Sequence, residues 1–163
     1  VLFRSDGFET TLAYDASSGS QETSAILYQS ALREIGVKLK LKKIPAATFY
    51  SNVSERKQPM IFYLDSPWCP DAGYSMNLYF HSKSFINYSN YENARVDELI
   101  DAASKTGDMD ARLEMMDEVQ KHVMREAPWV FVAKTNFSLA HRADLKGWTY
   151  YTSNNMRFQD FHR

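Results

Sequence analysis

The stretch 36–44, Gly-Val-Lys-Leu-Lys-Leu-Lys-Lys-Ile, limits what this chain can fold into more than any other. Val37, Leu39 and Leu41 alternate with Lys38, Lys40 and Lys42. A period of two puts the apolar set on one face of a β-strand and the lysines on the other, in solvent. Gly36 stands where a helix stop is expected. The helix predicted before it covers 21–35, with Ser20 as its cap and Ala25, Tyr28, Leu32 and Ile35 on one face. Ahead of that helix, 8–14 sets Phe8, Thr10, Leu12 and Tyr14 against Glu9, Thr11 and Ala13, a second strand pattern. Pro45 ends the lysine strand. A short helix over 46–56 follows, with Phe49 and Val53 inward, and then an apolar run at 60–64 suited to a buried strand. The order is β-α-β-α-β. Strands joined through helices need crossover connections, which predicts a parallel sheet and an α/β fold.

The second half is helical in pattern. Residues 77–81 read as a helical turn. Asn93 caps a helix over 94–104 with Val96, Leu99, Ile100 and Ala103 inward. Asp108 or Asp110 opens another that runs to Glu126, with Leu113, Met116, Val119 or Gln120, and Val123 along its apolar stripe. Pro128 prevents its continuation. A buried strand is expected at 129–133 and an extended piece at 137–140. Residues 145–161 are aromatic and loop-rich.

Composition closes several functional classes. The net charge is −1, so nothing argues for nucleic acid or an anionic membrane surface. No apolar run approaches the length of a membrane span. Cys69 is the only cysteine, so no disulfide forms within the chain, and without a base nearby its thiol reads as packed or merely incidental rather than as a nucleophile. His81, His122, His141 and His162 lack zinc-ligand spacing, so no metal site is expected. Asn52-Val53-Ser54, Asn87-Tyr88-Ser89 and Asn136-Phe137-Ser138 match the glycosylation pattern, a frequent chance occurrence. No glycine-rich phosphate loop follows the first strand.

The best site candidate is the loop over 65–74. It leaves the C-terminal end of an apolar strand, where open α/β sheets bind ligands. Asp65 and Asp71 offer carboxylates, Trp68 an indole and Tyr74 a phenol, on a backbone stiffened by Pro67 and Pro70. Such a set can stack on a ligand and orient it by hydrogen bonds.

A series of short motifs runs in a recognisable order: Asp6-Gly7-Phe8-Glu9 before a strand, Glu34-Ile35-Gly36-Val37 into a strand, Ala47-Thr48-Phe49, Tyr88-Ser89-Asn90 before the Asn93-capped helix, Glu126-Ala127-Pro128-Trp129, and Lys146-Gly147. Together they resemble the extracellular solute-binding proteins of ABC importers, the dipeptide/oligopeptide/nickel-binding class. The resemblance implies a periplasmic-binding-protein-like lobe, a small-molecule or peptide-like solute, and an ABC permease as membrane partner. It implies no cofactor, no enzymatic activity, a periplasmic or membrane-tethered extracellular location, and a monomer when full-length. On that likeness 6–142 is the second lobe, and 143–163 returns to pack on a first lobe. Trp148, Tyr150, Tyr151, Phe158 and Phe161 would then form an exposed apolar patch in this chain. Residues 1–5 match the translation of a sequencing-adapter tail and are read as a non-native leader. Two positions depart from the class. Peptide binders carry a tryptophan where this chain has Ala46. They also carry a tryptophan followed three residues on by an aspartate that anchors the peptide amine. Here Asp65 holds the tryptophan position and Trp68 the aspartate position.

Two other functions compete. A small cytoplasmic α/β enzyme would use Asp65 or Asp71 as general base, which needs a perturbed carboxylate and a partner group. A helix-mediated interaction module would use Met109, Met115, Met116 and Met124 as its surface.

Overall fold

The computed structural model describes residues 7–66, 68–134, 136, 138–151 and 156–163. The reading of 1–5 as a leader, and the positions of Pro67 and Phe137, lie outside these. The chain forms two compact units that divide between Asp65 and Ser66.

The first unit is the β-α-β-α-β arrangement. Strand β1 is Phe8–Asp15, helix α1 Gly19–Glu34, strand β2 Val37–Ile44, helix α2 Ala46–Ser54 and strand β3 Met60–Ile61. The sheet order is β2-β1-β3, and β1 pairs in parallel with both neighbours. Phe8 is opposite Val37 and Asp15 opposite Ile44; Leu12 is opposite Met60. β1 is the middle strand and both α1 and α2 lie against it, and Leu12, Ala13 and Tyr14 are all buried. That breaks the one-sided alternation its sequence suggests. β2 keeps its alternation: Val37 and Leu39 are buried while Lys38, Lys40 and Lys42 are exposed. Lys40 pairs with Glu9 across the sheet at 2.5 Å. β3 is shorter than the apolar run at 60–64. Beyond it the Phe62 amide donates to the Ala13 carbonyl at 2.7 Å.

α1 lies on the sheet through Ala25, with Tyr28 and Leu32 packed against Leu12, Tyr14 and Leu39. The Gln29 side-chain amide donates to the Leu39 carbonyl at 2.6 Å. The helix begins two residues earlier than its sequence suggests because Ser18, not Ser20, accepts the Gln21 amide. Ile35 falls past the last turn and is 64% exposed, so it is not part of the inward face. Gly36 follows at φ +82°, the left-handed stop. Gly7 has φ +68°, and a Cβ built on it would stand 2.0 Å from the Gly36 carbonyl oxygen. Two glycines therefore let the β1 and β2 backbones enter the sheet together. α2 buries Phe49 and Val53, as its pattern requires.

The second unit is helical. Its helices are α3 Ala72–Phe80, α4 Ala94–Lys105 and α5 Met109–Glu126. They share a core of Tyr79, Phe80, Tyr91, Val96, Leu99, Ile100, Ala103, Met116, Val119 and Val123. Leu113, expected on the inward stripe of α5, is exposed. So are Met109 and Met124, whereas Met116 is core and Met115 packs against it. Asn93 caps α4, and its side-chain amide also donates to Glu126 at 2.7 Å, tying the start of α4 to the end of α5. That bond, first among several, holds the Glu126 carboxyl below its usual range. Burial, with Glu126 next, pushes the Tyr91 phenol up to about 12. Asn87 is only 1% exposed and bonds to the backbone of His81 and Tyr91, so it is structural and closed to modification in the fold.

Ala127 takes the left-handed conformation and Pro128 follows, ending α5 where the sequence places the stop. The strand expected at 129–133 does not form. A strand needs a neighbour, and among the described residues the second unit contains no strand to pair with it. Trp129 instead packs on Tyr79 and Phe80, at 5.1 Å from each ring, while Val130, Phe131 and Val132 are exposed. Near the C-terminus Lys146 and His162 form an isolated antiparallel bridge. Gly147, at φ +79°, lies so close to the Asp160 carbonyl that a Cβ would stand 1.9 Å from it.

The Gly7–Gly36 approach gives a direct expectation. Gly7→Ala must move one backbone and strain a left-handed residue, at a cost of about 1–3 kcal/mol. Amide exchange in β1 and β2 should therefore accelerate about tenfold or more, with α4 and α5 unaffected. Unchanged exchange in β1 would show that the close approach constrains nothing.

Candidate functional site

The loop that the sequence singles out is divided by the structure. Asp65 closes the first unit and is exposed. Trp68, Asp71 and Tyr74 belong to the second unit, at the start of α3. These three are brought into one short stretch, whereas Asp65 is described with the strand that precedes it.

α3 begins five residues earlier than the helical turn that the sequence suggests at 77–81. Gly73 reads as a loop residue next to Pro70, which hides the helix start. Asp71 supplies what overrides it. Its Oδ1 accepts the Tyr74 amide at 2.8 Å, and its carbonyl accepts the Ser75 amide at 3.2 Å. That is an N-cap, which satisfies donors a helix start leaves open. Tyr74 therefore sits in the first turn of α3, half-buried.

The same Oδ1 accepts a hydrogen bond from Arg112 Nη2 at 2.6 Å. Arg112 lies in the first turn of α5, and its side chain was not among the residues the sequence marked. Gly73 was marked only as a turn former, yet a Cβ there would stand 2.7 Å from Arg112 Nη2. The Tyr74 amide first, and the Arg112 guanidinium with it, hold the Asp71 carboxyl below its ordinary value against the opposing effect of burial.

Trp68 is presented differently. It is 81% exposed, next to an exposed Cys69 and Pro70. An indole that open is available for stacking rather than committed to a core. Among the described residues no group of three or more His, Cys, Asp or Glu side chains could hold a metal ion. No described helix is long and apolar enough to cross a membrane.

Comparison with known proteins gives a family. Residues 2–87 match the family model described as bacterial extracellular solute-binding proteins, family 5 Middle. DdpA of Escherichia coli (strain K12), named as a probable D,D-dipeptide-binding periplasmic protein, is 31% identical over 143 residues, covering 86% of this chain and 28% of that protein. The glutathione-binding protein GsiB of Salmonella typhimurium is 26% identical over 164 residues, covering 95% of this chain and 32% of GsiB. The chain thus spans under a third of the length of these curated relatives. The fold is also that of the oligopeptide-binding protein AppA from Bacillus subtilis, solved with a nonapeptide. The TM-score is 0.81 at 20% identity, over 90% of this chain and 30% of AppA.

The cap makes a pH-dependent prediction. A folded-state carboxyl below its unfolded value contributes stability that is complete above the ordinary aspartate value, near 3.8, and is lost as pH falls through the lowered one. Asn caps a helix about as well as Asp but cannot pair with Arg112 as a charge. The urea midpoint of Asp71→Asn should lie below wild type at neutral pH, and the gap should close in acid below about that value. A gap independent of pH would show that the charge contributes nothing.

Proposed function

Because this chain belongs to the bacterial extracellular solute-binding proteins of family 5, we propose that it forms one wall of a solute site in a longer protein that serves an ABC importer. Capture would occur between two lobes. Contacts from both would shift the protein towards its closed form, and the membrane permease would receive the solute from it. Residues 6–142 supply the second lobe on this account. Residues 143–163 would pack on the first; of the aromatics expected to be exposed there, Tyr150 and Phe158 are exposed, while Trp148, Tyr151 and Phe161 are half-buried. A periplasmic or membrane-tethered extracellular location follows from the same role, as does a monomeric full-length protein.

The observation that carries the proposal is the family match together with the exposed Trp68 at the start of α3. The solute we assign is small and peptide-like. DdpA and GsiB are named for a D,D-dipeptide and for glutathione, both with peptide-like backbones. Trp68 would stack on the solute. The Tyr74 hydroxyl would orient it through hydrogen bonds. Asp71 would contribute from the rim, because its Oδ1 is already engaged by the Tyr74 amide and Arg112. The swapped order of Asp65 and Trp68 moves the acid away from the place where the class anchors a peptide amine. The free amine that a D,D-dipeptide and glutathione both carry would therefore be held by a different group from the one the class uses.

Enzymatic use of the carboxylates fits poorly. A general base working near neutral pH needs its pKa raised towards 7, by burial or a like charge. Asp71 is shifted the other way, with its charge stabilised by an amide and a guanidinium. The relatives are named as binding proteins.

The test is calorimetry on the full-length protein carrying this chain, titrated with glutathione and with a D,D-dipeptide. Trp68→Ala should cost about 1–3 kcal/mol of affinity for whichever binds, the scale of a lost aromatic anchor. Unchanged affinity would make Trp68 a surface residue and remove it from the site.

A further inference from the structure

Arg112 and Asp71 are 41 residues apart in sequence and meet at 2.6 Å. The Arg112 amide donates to the Asp108 carbonyl at 3.1 Å, so the base of the side chain is fixed in the first turn of α5. At the other end, one carboxylate oxygen receives both the guanidinium and the Tyr74 amide. The starts of α3 and α5 are joined at that atom. The two side chains are 26% and 32% exposed, less screened than an open surface pair.

Gly73 completes the arrangement. A Cβ at that position would lie 2.7 Å from Arg112 Nη2 and 3.1 Å from Asp71 Oδ1. The guanidinium fills the space that any other side chain would occupy. Immediately before Asp71 come Trp68, Cys69 and Pro70, all exposed, so burial does little to hold them. Pro70 fixes its own φ and restricts the conformation of Cys69. The direction of the Asp71 backbone is therefore passed back along the loop to Trp68.

We propose that Arg112 is a positioning residue, which through Asp71 sets the direction in which the 68–70 loop presents Trp68 to the solute. The link to solute rests on the solute-binding role proposed above. The ordering of the loop by Arg112 does not, and it is measurable with no ligand at all.

Cys69 makes the measurement direct, being exposed and the only cysteine of this chain. A nitroxide is attached there in the full-length protein, with any cysteine elsewhere replaced by serine. Arg112→Ala and Gly73→Ala should shorten the label's correlation time about threefold or more, moving the loop from ordered to freely mobile. Arg112→Lys, a cation without the planar fork, should fall between them and wild type. Asp71→Asn keeps the helix cap but loses the ion pair, and should follow Arg112→Ala. Helix content by circular dichroism should be unchanged in all four at the temperature of the measurement. If Arg112→Ala fails to fold, Gly73→Ala and Asp71→Asn carry the test. An unchanged spectrum in both overturns the proposal.

Titration of the same variants with glutathione and a D,D-dipeptide separates the two ideas. A looser loop with affinity lowered about threefold or more supports positioning of the solute contact. A looser loop with unchanged affinity overturns the link to solute, while wild-type binding leaves the solute-binding role standing. If the wild type binds neither probe, the failure belongs to that role, and the nitroxide spectrum alone decides whether Arg112 orders the loop.

Discussion

Parallel pairing of β1 on both of its edges is the constraint from which the first unit follows. A parallel neighbour cannot be reached by a tight hairpin, so each pairing requires a crossover. α1 and α2 are those crossovers, and each brings its own apolar residues to the sheet: Ala25, Tyr28 and Leu32 from α1, Phe49 and Val53 from α2. Because β1 is central, Leu12, Ala13 and Tyr14 are buried in succession. The register in turn depends on the glycine pair at its start, since only a residue without Cβ fits at Gly7 against the Gly36 carbonyl. The loop after β3 then begins at the C-terminal end of a parallel strand, the edge at which open α/β sheets take ligands.

In the second unit a comparable burden falls on side chains at helix ends. Asn93 caps α4 and reaches Glu126 at the end of α5. Asp71 caps α3 and receives Arg112 from the start of α5. Both polar links cross between helices whose apolar faces are already packed, and so they fix how the helix ends are arranged rather than supply most of the stability. On the proposed solute-binding role this division has a consequence. A binding loop must be ordered enough to avoid a large entropic loss when a solute arrives, yet its contact residues must stay open to water until then. Trp68 is open and its neighbour Asp71 is fixed, which meets both conditions within four residues.

Much of this was legible in the chain. The Val37–Leu41 alternation, the Gly36 stop, the Asn93 cap and the Pro128 stop each act locally, and each appears where its chemistry places it. What was not legible depended on distant partners. The length of α3 is set by a cap in a stretch that also contains Pro70 and Gly73, and the glycine is explained only by a guanidinium from α5. The run at 129–133 has strand composition but no strand beside it among the described residues of its unit, so composition alone misleads there. Ile35 and Leu113 fit an apolar period, yet one lies beyond the last turn of α1 and the other on the outer side of α5. Trp68, Asp71 and Tyr74 lie in one short stretch at the start of α3. The structural duty of Asp71 was hidden, because nothing in its own segment announces Arg112.

The central claim is that this chain captures a peptide-like solute at the start of α3. Hydrogen–deuterium exchange on the full-length protein, with and without saturating glutathione or D,D-dipeptide, tests it most directly. The account predicts that ligand slows exchange in peptides spanning 66–76 while the α4–α5 core stays as it was. Binding accompanied by protection elsewhere in the protein, with exchange at 66–76 unchanged, would contradict it.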